Sequence, residues 1–156
     1  MPKKEHRYAA TIAWTGNRGT GTSHYTAYSR DHDIRFEGKA PLPGSSDPAF
    51  RGDPTRYNPE ELLLAALSSC HMLWYLHLCA ANGIIVTAYA DRAEGVMAEN
   101  ADGSGEFTRV VLHPEVTIAK GDAAKAEALQ QKAGALCYIA RSVNFPVAHE
   151  AVIKAA

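Results

Sequence analysis

The segment NPEELLLAALSSCHMLWYLHLCAANG begins at Asn58 and ends at Gly83. Asn58 is a suitable helix N-cap, Pro59 fits the first helical position, and Glu61 is placed to reach back to the cap. At the other end, an Asn-Gly pair is a common stop signal, because glycine adopts the left-handed conformation without steric cost. The segment therefore predicts one long helix.

This helix has no charged side chain after its first turn, and none occurs from Leu62 to Ala90. A helix that is apolar on every face either spans a membrane or is buried all round, and ~20 residues suffice for a span. The polar residues from Ser68 to His71 would be penalised in hydrocarbon, and the rest of the chain reads as amphipathic strands that need a partner surface. We therefore favour burial. One small domain covers only one side of such a helix, so we expect a homodimer.

The composition is that of an ordinary globular protein, with 156 residues of which 46% are hydrophobic. We expect a single domain, residues 1–156. The 16 Lys and Arg against 17 Asp and Glu give a net charge of −1. Without a run of like charges, this balance argues against nucleic acid or an anionic membrane as a partner. Residues 1–7 are charged and lack the apolar core of a secretory signal, which favours a cytoplasmic location.

Alternation of apolar and polar residues predicts strands in the remainder of the chain. The expected strands are an N-terminal hairpin at 8–14 and 22–28, a short strand at 33–37, a long hairpin at 84–99 and 106–119, and a last strand at 147–153. Residues 38–57 are rich in Pro and Gly and read as a loop longer than compact domains usually tolerate. Asp122 should cap a second, alanine-rich helix that leads to Cys137.

Three cysteines, Cys70, Cys79 and Cys137, are the candidate chemical groups. They are far apart, odd in number and without CxxC spacing, which favours reduced or reactive thiols over a secreted disulfide framework. Unpaired cysteine is commonly a small buried hydrophobe, so position alone favours a packing role for Cys70. Cys79 lies ~13 Å further along the helix, out of disulfide reach. Only Cys137 could pair with Cys70, and spacing leaves that pairing open.

A metal site beside Cys70 is not predicted. Cys70 and His71 point ~100° apart on the helix and His77 lies ~10 Å away, whereas zinc needs three or four ligands around one point. A histidine from elsewhere, such as His24 or His149, could still act as a base. Cys70 would then be the nucleophile of a transferase or hydrolase, which is one alternative function.

The helix sequence resembles that of a known family. NPEEL from Asn58, Ala65-Ala66 and Ser69-Cys70 together resemble the hallmark helix of the OsmC/Ohr family, the osmotically induced and organic hydroperoxide resistance proteins. The segment from Trp14 to Gly19 is similar to the family's early turn with its arginine, and Leu136-Cys137 to its second cysteine. The resemblance spans nearly the whole chain. It implies an α+β, OsmC-like fold, with antiparallel sheets around a long central buried helix in an intertwined homodimer.

The resemblance also implies a thiol-dependent peroxidase that reduces organic hydroperoxides to alcohols. By position, Cys70 corresponds to the peroxidatic cysteine, which becomes a sulfenate, and Cys137 to the resolving cysteine, which forms a disulfide with it. Arg18 corresponds to the cation that holds Cys70 as a thiolate, and Glu60 to the carboxylate that orients Arg18. No bound cofactor is implied. An external dithiol, such as a dihydrolipoyl group on a lipoylated protein or a small molecule, reduces the disulfide.

The family's preference for organic hydroperoxides implies an apolar pocket for the alkyl group. Leu67, Leu73 and Trp74 lie beside the peroxidatic cysteine in sequence and would contact this group. Phe50 and Tyr57, from the long loop, would cover it as a lid.

Two features of this sequence bear on those assignments. Many family members have proline after the second cysteine, whereas Tyr138 follows Cys137 here. The long loop also supplies Arg51 and Arg56, either of which could take the place of Arg18.

Helix geometry adds a constraint on the site. Glu60 and Cys70 lie ~15 Å apart along the predicted helix, too far for both to contact one arginine. If Glu60 serves the Cys70 site, it therefore comes from the partner subunit.

A different function of the same fold is also open: a small-molecule-binding protein that is non-catalytic, or a redox sensor in which Cys70 is oxidised only slowly.

Overall fold

The computed structural model describes residues 1–156, which form two compact units, Met1–Leu62 and Leu63–Ala156. The elements follow one another as β1 (Thr11–Trp14), β2 (His32–Arg35), β3 (Leu42–Gly44), α1 (Pro59–Ala81), β4 (Ile85–Asp91), β5 (Glu94–Glu99), β6 (Gly105–Leu112), β7 (Pro114–Lys120), α2 (Ala123–Leu136), β8 (Val147–His149) and β9 (Val152–Ala155). Short 3₁₀ turns occupy Pro48–Phe50 and Ala140–Ser142. The α+β class and both helices are confirmed. The single domain expected for the whole chain stays a prediction.

The first unit contains a three-stranded antiparallel sheet in the order β1-β2-β3. The strand predicted at 22–28 is wrong, because β1 pairs with β2 and the residues between them form turns. Asn17 explains part of this result, since its side-chain oxygen accepts the backbone N–H groups of Gly19 and Gly21, both at 2.9 Å. A side chain that bonds nearby backbone groups competes with strand pairing.

The Pro- and Gly-rich loop is partly regular, since it contains β3 and a 3₁₀ turn. Arg56 holds it in place: its Nε donates to Gly44 O at 2.8 Å and its Nη2 to His32 O at 3.0 Å. The same guanidinium pairs with two aspartates of this unit, at 3.9 and 3.5 Å. These contacts give Arg56 a structural role within the loop.

The signals at both ends of α1 act as predicted. Glu61 N–H donates to Asn58 Oδ1 at 2.8 Å, and Asn58 N–H donates to Glu61 Oε2 at 3.2 Å, which makes a reciprocal capping box. Gly83, just after the helix, has a φ of 70°, the left-handed conformation expected of a helix stop. Local interactions therefore set the two ends of the helix.

The chain buries only one face of α1. The buried side chains recur at helical spacing and are Leu67, His71, Tyr75, Leu78 and Cys79. By length and composition the helix could cross a membrane, but most of these residues pack in the core of the second unit. The opposite face is open, and Leu73 on it is 63% exposed. The all-round burial predicted for this helix therefore requires a further surface.

The second unit contains two sheets, in the orders β4-β7-β9 and β5-β6-β8. The long strands predicted at 84–99 and 106–119 each break in two, after Asp91 and at His113. Asp91 contributes to the break at His113, because its carboxylate accepts the His113 backbone N–H at 2.6 Å, besides the Ser68 hydroxyl at 2.5 Å. This N–H is thereby withdrawn from strand pairing.

The last strand, predicted at 147–153, is divided into β8 and β9. They run parallel to β6 and β7 respectively, so the two sheets are mixed and not purely antiparallel. A parallel neighbour requires a crossover connection, which α2 supplies between β7 and β9. Asp122 caps α2 as predicted, since its Oδ2 accepts the Lys125 N–H at 2.8 Å. Cys137 is the C-cap residue of this helix.

Candidate active site

Two of the three cysteines lie together in the second unit. Cys70 is half-buried at the middle of α1, and Cys137 is 1% exposed at the end of α2. The thiols of these two residues are neighbours. Cys79 packs in the core and is also 1% exposed. All three thiols are free. The packing of α1 and α2 thus brings together the pair that sequence spacing left open.

The buried Cys137 thiol resists ionisation. Burial raises the pKa of Cys137 to about 11, and the adjacent Cys70 acts in the same direction. The backbone N–H of Ala140, which donates to Cys137 Sγ at 3.4 Å, opposes this shift. With its pKa raised in this way, Cys137 stays protonated at neutral pH. Because the thiolate is the reactive form, Cys137 is a poor nucleophile, and Cys70 is the remaining candidate of the pair.

Cys70 opens into a cleft of 340 Å³ within the second unit. The lining is almost wholly apolar and consists of Ala66, Ser69, Cys70, Leu73, Trp74, Tyr138 and Ile139. The rings of Trp74 and Tyr138 meet edge to face, with centroids 5.5 Å apart. Leu73 and Trp74 thus line the cleft as the sequence suggested.

Leu67 does not line the cleft, contrary to the prediction. Its side chain is 1% exposed and packs with Val110 and Leu112 on the buried face of α1. Ala66 faces the cleft instead, because adjacent helical residues point ~100° apart. Sequence reasoning also missed Tyr138 and Ile139. Their position directly after the second cysteine is the signal that could have identified them.

The remaining candidate residues belong to the first unit. Arg18 is exposed in the turn region after β1, and Glu60 is half-buried in the first turn of α1. Phe50 and Tyr57, the expected lid residues, are 36% and 49% exposed. The roles assigned to these four residues by resemblance stay predictions.

Comparison with known proteins identifies the family. A family model described as OsmC-like protein matches residues 52–151. The structure of an OsmC-like protein of unknown function from Vibrio cholerae O1 biovar eltor is similar, with 31% sequence identity and a TM-score of 0.84, over 95% of this chain and 100% of that chain.

Two further solved structures share the fold at lower identity. One is an organic hydroperoxide resistance protein from Legionella pneumophila, with a TM-score of 0.70 and 18% identity over 97% of this chain and 99% of that chain. The other is the organic hydroperoxide resistance protein of Bacillus subtilis, with a TM-score of 0.58 and 19% identity over 94% and 98% of the two chains. No match was found among curated proteins. The family model and the Vibrio structure each match well over half of this chain, which therefore belongs to the OsmC/Ohr family.

Proposed function

We propose that this protein is a thiol-dependent peroxidase that reduces organic hydroperoxides to alcohols, with Cys70 as the peroxidatic and Cys137 as the resolving cysteine. The observation that carries the proposal is the pairing of a cleft-facing thiol with a buried one, at the base of an apolar lining. The names of the Legionella and Bacillus proteins, which share the fold, support a peroxide-related redox function.

The first step is attack by the Cys70 thiolate on the terminal oxygen of the hydroperoxide. The O–O bond breaks, the alkoxide leaves and takes up a proton to become the alcohol, and Cys70 becomes a sulfenic acid. Arg18, oriented by Glu60, is the proposed cation beside the Cys70 thiolate. The Trp74 and Tyr138 rings would bury the alkyl group, which hydrogen peroxide lacks.

The second step is condensation of the Cys137 thiol with the Cys70 sulfenic acid. An S–S bond forms, the S–O bond breaks, and water leaves with the proton of Cys137. The timing follows from charge: a Cys70 thiolate raises the pKa of Cys137, and conversion to the neutral sulfenic acid removes that charge. The Ala140 N–H is placed to stabilise the thiolate that then forms.

An external dithiol completes the cycle. Its two thiols reduce the Cys70–Cys137 disulfide and themselves form a disulfide. We propose that this reductant is a dihydrolipoyl group, on a lipoylated protein or a small molecule. We also propose that the protein needs no bound cofactor and works in the cytoplasm. This reduction restores the thiols of Cys70 and Cys137, and the protein is ready for another turnover.

We also propose that the protein works as a homodimer. The open face of α1 and the adjoining Tyr138, 69% exposed, form an apolar surface that a second subunit would cover. Glu60 of the partner would then serve the Cys70 site.

A direct assay tests the proposed function. The reduced protein should consume cumene hydroperoxide in the presence of dihydrolipoamide at least about tenfold faster than hydrogen peroxide, because burial of ~60 Å² of the cumyl group is worth about that factor. Cys79→Ser is the matched control and should keep the activity. If consumption is no faster than with dihydrolipoamide alone, the protein is better described as the slow redox sensor or binding protein.

Mixed subunits test the shared site. Glu60→Ala and Cys70→Ser homodimers should each be inactive, and their mixture should regain about a quarter of the wild-type activity, since random exchange makes half of the dimers mixed with one intact site in each. Subunit exchange is confirmed by native mass spectrometry with one isotope-labelled partner. Exchange without recovered activity would place Glu60 outside the partner's site.

A further inference from the structure

A buried polar network joins the two helices that carry the reactive cysteines. His71, 2% exposed, follows Cys70 in α1, and its Nε2 lies 2.7 Å from Oε1 of Gln130, which is fully buried in α2. One turn further along α1, Tyr75 Oη donates to the backbone carbonyl of Ala126 at 3.0 Å. Two polar bonds therefore cross between α1 and α2 through an otherwise apolar contact.

The bond between His71 and Gln130 defines the state of the imidazole. A side-chain amide oxygen only accepts hydrogen bonds, so His71 Nε2 carries the proton and donates it. Burial lowers the pKa of His71, which keeps the ring neutral. The neutral Nε2–H tautomer is therefore the one that this packing selects.

Gln130 is a poor choice for stability alone. Its Nε2 is buried and makes no hydrogen bond of its own, although Tyr75 lies beside it. A buried donor left unpaired is costly, and an apolar side chain of similar volume would avoid that cost. The benefit of the amide must then lie in its directional bond to His71.

The bond lies on the same stretch of the α1–α2 contact as the cysteine pair. Gln130 and Cys137 are two turns apart on one face of α2, and His71 is the immediate neighbour of Cys70 in α1. Fixing Gln130 against His71 fixes how far α2 has slid along α1. A disulfide requires the two Cβ atoms to lie about 3.5–4.5 Å apart, so a slide of ~1 Å is enough to hinder it.

We propose that His71 and Gln130 are positioning residues that hold the Cys137 thiol in disulfide register with Cys70. Their role in turnover rests on the proposed peroxidase function, in which the Cys70 sulfenic acid and the Cys137 thiol give a disulfide and water. Neither residue contacts the reacting sulfur atoms in this role. The register itself matters for any oxidant.

The test measures disulfide formation without a peroxide. The protein, in a Cys79→Ser background, is equilibrated with reduced and oxidised glutathione. In this equilibrium the two thiols Cys70 and Cys137 reduce one molecule of oxidised glutathione, which gives the Cys70–Cys137 disulfide and two molecules of reduced glutathione. Gln130→Met, of similar volume but without the acceptor, should lower the effective concentration of the thiol pair about tenfold. Gln130→Glu, which keeps an acceptor oxygen for His71, should stay within about threefold of the parent.

Two further measurements separate positioning from general stability. Leu129→Val, at the neighbouring buried position of α2, should lower the denaturation midpoint without changing the effective concentration. Nitrogen-15 NMR of His71 should report an almost pure Nε2–H form in the parent and a larger share of the Nδ1–H form in Gln130→Met. An unchanged effective concentration in folded Gln130→Met would overturn the proposal, whichever tautomer His71 then adopts.

Failure to fold, loss of peroxidase activity and a general loss of stability can each be distinguished from a loss of positioning. If Gln130→Met does not fold, Gln130→Asn shortens the acceptor by one methylene and provides the same comparison. Because glutathione exchange requires no hydroperoxide, a failed peroxidase assay leaves this result intact. An equal loss in Gln130→Met and Leu129→Val would assign the effect to stability and count against positioning.

Discussion

Replacing Cys70 with serine is expected to lower hydroperoxide consumption at least about 1,000-fold, a loss typical of removing the nucleophile of a covalent mechanism. A serine hydroxyl stays protonated at neutral pH and does not attack an O–O bond, and no sulfenic acid can form on it. The fold should survive, because Cys70 is only half-buried and faces the cleft. The same substitution should lower the pKa of Cys137, since the Cys70 thiol contributes to raising it.

Cys79→Ser is the matched comparison, because it makes the same chemical change nine residues further along the same helix. Its thiol is 1% exposed in the core, so we expect a loss of stability with full activity. Single-turnover rates with cumene hydroperoxide, followed by tryptophan fluorescence from Trp74 in the cleft, would compare the two. Activity in Cys70→Ser within about tenfold of wild type would move the chemistry to another group.

The central helix could be predicted because its signals are local. The N-cap bonds join Asn58 and Glu61, three residues apart, which a sequence shows directly. Helical periodicity also distinguishes the buried face of α1 from the face that lines the cleft. Buried residues follow Leu67 at steps of four, whereas Ala66 begins the series that contains Cys70 and Leu73. Assigning Leu67 to the cleft overlooked that spacing, and the correct face was available from the sequence.

The strand breaks and the cysteine pair could not be predicted, because both depend on contacts distant in sequence. Asp91 meets Ser68 and His113 at separations of 23 and 22 residues. The pairing of Cys70 with Cys137 depends on how two helices pack, and spacing contains no information on that. The pair was suggested by the family resemblance alone.

In the absence of an external dithiol, replacing Cys137 with serine is expected to stop the reaction at the sulfenic acid. Without reductant, one equivalent of hydroperoxide should convert wild type to the disulfide, about 2 Da lighter, and Cys137→Ser to a species about 16 Da heavier. Dimedone should label Cys70 in the variant, where no thiol competes for the sulfenic acid. The serine should be accommodated, since the Ala140 N–H that donates to Cys137 Sγ can donate to a hydroxyl at this position.

The variant should also be inactivated by its own substrate. A second equivalent of hydroperoxide oxidises an unresolved sulfenic acid to the sulfinic acid, about 32 Da above the starting mass, which ordinary dithiols do not reduce. In wild type, disulfide formation removes the sulfenic acid before this occurs. We therefore expect Cys137→Ser to lose activity at least about tenfold faster than wild type in excess cumene hydroperoxide. Equal rates of inactivation, or an unchanged yield of disulfide by mass, would exclude Cys137 from the mechanism and leave resolution to the external dithiol.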